Sequence, residues 1–143
     1  MKGQPEVRES PVPVDSDEVA VVLCIYGEQL EPTEVSRILQ REPTASHRLG
    51  DEAPRGKKYL GGAWFIEQRS FEPIDINQMI LGVFEGLPRE LEVWRSLSAQ
   101  YSLRFDIAVH TESGCNFALN PAVVTLIERT GAILFLDIYS YGN

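Results

Sequence analysis

Between Glu18 and Tyr26 the chain runs from Val19 to Ile25 without a polar side chain. A strand points successive side chains to opposite faces, so this run has no face suited to water. It belongs inside a sheet, covered on each side. A buried helix is the usual confusion for a short apolar run; the length and the three valines favour a strand. The rest of the chain must supply this strand's neighbours and its cover.

Those neighbours follow from periodicity. Pro32 to about Arg41 reads as a short helix, with Pro32 at a first helical position and Glu34 in the first turn. Val35, Ile38 and Leu39 form its inward stripe. A long polar connection spans Glu42 to Gly62. Past it, Ala63 to Arg69 reads as a strand with Trp64 and Ile66 on one face and Phe65, Glu67 and Arg69 on the other. Asp75 is an N-cap, with Ile74 placed to staple one turn in, for a helix carrying Ile76, Met79, Ile80, Val83, Phe84 and Leu87. Gly86 and Pro88 end or bend it, and Pro88 can open a further helix with Leu91, Trp94 and Leu97.

Leu103, Phe105, Ile107 and Val109 alternate with Arg104, Asp106, Ala108 and His110, a strand with one buried and one polar face. A turn follows at Thr111 to Gly114, and Asn116 to Leu119 suggests a short strand. Asn120-Pro121 opens a helix that Gly131 stops, with Val123, Leu126 and Ile127 inward. A last strand covers Ala132 to Ser140. The fold class expected is α+β: a two-layer sandwich of four main strands in a mixed sheet, with three to four helices on one face. The helix over residues 121–130 should join the last two long strands in parallel.

At 143 residues, 43% of them hydrophobic, the chain suits one domain that needs no metal or disulfide staple. Residues 1–16, with Pro5, Pro11 and Pro13, read as a flexible leader, and residues 17–143 as the domain. Nothing at the N-terminus resembles a signal peptide, and no stretch is long enough for a membrane span. Cys24 and Cys115 lie far apart, which is not a disulfide framework. The expected setting is cytoplasmic. The net charge of -8 disfavours nucleic acid unless a concentrated basic patch exists.

Several features together resemble the bacterial "domain of unknown function 4279" family. They are the helix entry Leu30-Glu31-Pro32, the pairs Pro43-Thr44 and Gly50-Asp51, and Trp64 at the start of its strand. The Asn120-Pro121 helix ending at Gly131 and the closing Leu136-Asp137-Ile138-Tyr139 complete the match over residues 18–141. The resemblance implies a small α+β domain and assigns no activity, so it carries over no catalytic residues.

Four motifs invite chemistry. Gly50 to Lys58 looks like a phosphate loop, but it has five residues between its glycines and lysine where serine or threonine belongs. The wider stretch Arg41 to Lys58 carries a local charge of +2. It is either a solvated connection or a site for an anionic ligand, or a hydrolase-like centre, built from His47, Arg48, Asp51 and Lys57 near Trp64. His110 and Cys115 are five apart, without a clear orienting third group. The histidines and cysteines lack metal-ligand spacing, so neither a metal nor a cofactor is expected. Catalytic residues are not assigned, and the balance goes against an enzyme.

The last strand places Leu134, Leu136 and Ile138 opposite Ile133, Phe135, Asp137 and Tyr139. With the first set against the helices, Phe135, Asp137 and Tyr139 share the open face with Arg104 and Asp106. Aromatic and arginine anchors among polar neighbours suit a protein-binding surface. The expected function is a non-enzymatic interaction module, immunity-protein-like, whose negative charge speeds association with a basic protein partner.

Overall fold

The computed structural model describes residues 18–70, 75–112, 114 and 116–140. The leader, Ile74 of the proposed staple and Cys115 lie outside the described residues. The elements are β1 (Glu18–Gly27), α1 (Pro32–Leu39), β2 (Ala45–His47), β3 (Gly62–Ser70), α2 (Ile76–Phe84), α3 (Leu91–Gln100), β4 (Ser102–Thr111), α4 (Pro121–Thr130) and β5 (Ile133–Ser140), with a 3-10 turn at Pro54–Gly56. The fold is α+β, the described residues forming four α-helices and one mixed sheet of five strands in the order β2-β3-β1-β4-β5.

The apolar run takes the central place. β1 is antiparallel to both β3 and β4, so each of its edges is paired. Val21, Leu23 and Ile25 are fully buried against the helices, in one cluster with Trp64, Ile66, Phe105 and Ile107. All four helices feed this cluster: Val35 and Leu39 from α1, Ile80 and Val83 from α2, Trp94 and Leu97 from α3, Val123 and Ile127 from α4. Within it the rings of Phe84 and Phe105 stack at 5.7 Å. Truncating a buried phenylalanine such as Phe105 to alanine costs about 3–5 kcal/mol.

Caps begin α2 and α4 as their sequences predict. The Asp75 carboxylate accepts the Asn77 N–H at 2.9 Å, and the Asn120 side chain accepts the Val123 N–H at 2.9 Å. Gly131 closes α4 in the left-handed conformation, at φ 77°. The crossover through α4 sets β5 parallel to β4.

Three expectations change. The polar connection is not featureless: Ala45–His47 forms a three-residue edge strand on β3, the fifth strand of the sheet. Asn116 to Leu119 is not a strand. The Asn77 side chain instead donates to the Ala118 carbonyl and accepts from the Asn120 N–H, each at 2.9 Å. That binds the segment to the start of α2. Finally, Leu134, Leu136 and Ile138 are not covered by the helices. They are 42%, 50% and 53% exposed, because β5 is an edge strand and α4 packs against α2 and α3.

Among the described residues, no helix is long and apolar enough to cross a membrane.

Candidate functional site

Strand pairing decides which side chains share the face turned away from the core. Cys24 pairs with Phe65 on one side and Arg104 on the other; Val22 pairs with Glu67 and Asp106; Ala20 pairs with Arg69 and Ala108. β5 extends these rows, placing Phe135 beside Asp106, Asp137 beside Ala108 and Tyr139 beside His110. Directly paired residues point to the same face. The small residues Ala20, Val22 and Ala108 therefore form a shallow floor, bordered by long side chains from β3 and β5.

Arg104 is the anchor of this face. Its Nε donates to Asp106 Oδ1 at 2.7 Å and its Nη2 to Oδ2 at 3.0 Å, a two-bonded fork between residues two apart on β4. The fork lays the guanidinium over the Phe135 ring, 4.6 Å from its centre, with the Tyr26 ring at 5.6 Å. The Asp106 hydrogen bonds raise the Arg104 pKa above its ordinary value. The Arg104 side chain remains 38% exposed, so a cation oriented in advance is offered to solvent. On β5 the Tyr139 hydroxyl donates to Asp137 at 2.7 Å, which raises the phenol's pKa, and the Tyr139 ring stacks on His110 at 4.5 Å. At the far end Arg69 pairs with Glu18 and Glu67.

Beneath these groups lies Cys24. Burial pushes its thiol up to about 11, so it stays protonated at neutral pH and is no nucleophile. Burial, aided by the Cys24 thiol, pushes Tyr26 up to about 12.

Beside Tyr26 the face dips into an open concavity of about 720 Å³. Tyr26, His47, Tyr59, Leu60 and Phe65 line it, over a floor of Gly61 and Gly62. His47 and Tyr59 stack face to face at 3.4 Å, and Phe65 meets Tyr26 edge-on at 5.7 Å. The buried Nδ1 of His47 has no hydrogen-bond partner among the described residues. Leu60 stands 88% exposed at the rim.

The five residues expected on the open face, Arg104, Asp106, Phe135, Asp137 and Tyr139, do lie together there. The loop set does not converge. His47 enters the concavity. Arg48 pairs with Glu31 at 3.1 Å, and its backbone N–H is held by Asp51. Lys57 is exposed just past the 3-10 turn. Trp64 is fully buried on the other side of the sheet, its indole N–H donating to Ser36 Oγ at 3.0 Å. Trp64 pairs with Ile25 in the core, which removes it from any loop site.

Sequence reasoning missed Tyr26, Tyr59 and Leu60. A signal existed: Tyr59-Leu60 is an aromatic-aliphatic pair set before two glycines in an otherwise polar stretch. Tyr26 is the penultimate residue of the central strand, in register with Cys24 and on the face opposite Ile25. Among the described residues, no group of three or more His, Cys, Asp or Glu is placed to hold a metal ion.

A five-stranded sheet with a shared helical core and an aromatic, charge-studded reverse face defines a small α+β domain. The family model for the domain of unknown function DUF4279 matches residues 17–141, and the chain belongs to that family. No curated protein and no solved structure gives a significant match.

Proposed function

We propose that this domain is a non-enzymatic protein-interaction module that receives its partner on the sheet face opposite the helices. The architecture is read as two layers, the partner taking the place a third layer would fill. The observation that carries the reading is Arg104, held over Phe135 by a two-bonded Asp106 and left partly open to solvent. Orienting an arginine in advance lowers the entropy lost when a partner binds it, and arginines and aromatics dominate binding energy at interfaces. The adjoining concavity of Tyr26, Phe65 and Tyr59 would take an apolar side chain of the partner.

The partner's charge follows from the face itself. Glu18, Glu67, Asp106 and Asp137 outnumber Arg69 and Arg104, on a chain of net charge -8. A basic protein is favoured, with association that slows as salt rises. An immunity-like role, in which an acidic module neutralises a basic toxin, fits that balance.

The test is capture from extracts of the source cells by the tagged protein, with Asp106→Lys/Asp137→Lys as the comparison. The double variant should keep its far-ultraviolet circular dichroism spectrum and lose the captured protein. Equal capture by both proteins rejects this face as the binding surface.

A further inference from the structure

We infer that β5 is the contact by which two copies of this chain pair, joining their sheets edge to edge. Among the described residues the strand forms one border of the sheet, so one row of its backbone N–H and C=O groups faces outward. Proteins that stay monomeric blunt such an edge with lysine, proline, a bulge or a covering element. Ile133–Ser140 contains no proline and no basic residue, and Asp137 is its one charge. Both of its faces are open: Ile133 is 68% exposed, Leu136 50%, Ile138 53% and Phe135 42%.

Shape selects the occupant. The exposed apolar side chains of β5 stand on both of its faces, and an edge-paired strand that is itself apolar on both faces covers their flanks while satisfying the outward backbone groups. A partner must be extended, eight residues long and apolar on both faces, and β5 of a second copy is such a strand. The opposite edge, β2, has only three residues and cannot match it. Residues 1–17 match it less well, since Pro5, Pro11 and Pro13 lack the N–H that a paired strand donates.

Symmetry and charge then fix the register. A two-fold axis perpendicular to the sheet runs the two β5 strands antiparallel and keeps each face continuous. The axis must fall on a residue, because paired residues share a face. Placing it at Asp137 would oppose two carboxylates, which is unfavourable. Placing it at Leu136 pairs Leu136 with itself, Leu134 with Ile138, Phe135 with Asp137 and Ile133 with Tyr139. The axis at Leu136 is the register inferred. The product is a ten-stranded sheet whose reverse faces run on from copy to copy, so the surface of the proposed function is doubled without depending on that function.

The experiment is sedimentation equilibrium of the full chain over a range of concentrations. Native protein should show twice the 16.1 kDa chain mass. Leu136→Lys, which sets two ammonium groups against each other on the axis, should raise the dissociation constant at least about tenfold. Glu92→Lys, at an exposed position on α3, should leave it unchanged. Should Leu136→Lys fail to fold, Leu136→Cys in a Cys115→Ser background serves in its place. Mild oxidation should then link two chains, while Leu134→Cys in that background should not. Native protein that is monomeric throughout overturns the inference, as does a dimer indifferent to Leu136→Lys. Full-length protein that stays monomeric while a chain lacking residues 1–17 dimerises overturns it too, by naming those residues as the occupant.

Discussion

Gly62→Ala is the substitution whose cost the structure defines most sharply. Gly62 opens β3 and forms part of the concavity's floor, where the turn after β1 crosses above it. A methyl group there would stand 2.4 Å from the Leu30 carbonyl oxygen, 3.0 Å from the Leu30 Cβ and 3.1 Å from its carbonyl carbon. The obstacle is backbone, and that backbone is not free to retreat. Leu30 is buried in the core, and its N–H donates to the Gly27 carbonyl at 3.1 Å. Overpacking of this kind costs about 1–3 kcal/mol. A residue with a side chain regains about 0.5–1 kcal/mol relative to glycine in a strand. With backbone as the obstacle the cost lies in the upper half of that range, so the net loss is about 1–2 kcal/mol, which for a chain of 143 residues lowers Tm by roughly 2–8 °C.

Gly61→Ala provides the internal scale. Its nearest neighbour, the Glu28 Cα, lies at 3.3 Å, close enough to need a small shift and no more. Thermal unfolding followed by circular dichroism should therefore rank native, Gly61→Ala and Gly62→Ala in falling order of Tm. A Gly62→Ala protein melting within about 1 °C of native, or above Gly61→Ala, would refute the close approach of that turn.

Stability should also decline at alkaline pH. Burial raises the Cys24 thiol from about 9 to about 11 and Tyr26 from about 10 to about 12 in the folded chain. Groups raised on folding contribute their full share below the unfolded values and lose it as pH climbs through the folded ones. Urea midpoints should thus fall between about pH 9 and 12, with a shallower slope in Cys24→Ala; an unchanged slope would remove Cys24 as a cause. In the basic loop, Arg48→Ala should change stability by less than about 1 kcal/mol, since its pair with Glu31 is exposed. A larger loss in chemical denaturation would mean that the pair holds the loop.

The parts of this fold legible in the sequence are those where one local pattern admits one solution. Val19 to Ile25 is apolar on both faces and becomes the sheet's centre. Leu103 to Val109 alternates cleanly, and the structure buries every second residue of it. Asp75 and Asn120 are side chains that can satisfy a helix's first N–H groups, and both do so. Illegible parts depend on partners distant in sequence. Ala45-Ser46-His47 has no alternation of its own and becomes a strand only by pairing with Ala63 to Phe65. Leu134, Leu136 and Ile138 carry the pattern of a buried face, but no pattern within a strand tells whether a helix reaches it. Trp64 shows the reverse lesson. Its alternation with Ile66 already placed it with the core, and its nearness to a loop in sequence counted for nothing against that.

The central position of β1 also bears on how the chain is made. The strand is synthesised first among the described elements and gains its second neighbour only with β4. Val22 finds one neighbour in Glu67 and the other only in Asp106, 84 positions further on. At about 5–20 residues per second on a ribosome, that second neighbour arrives roughly 4–17 seconds later. During that interval the most apolar segment of the molecule has an open flank. Nascent chains stalled short of β4 should therefore recruit chaperones, and the release from them should coincide with the emergence of residues 102–111.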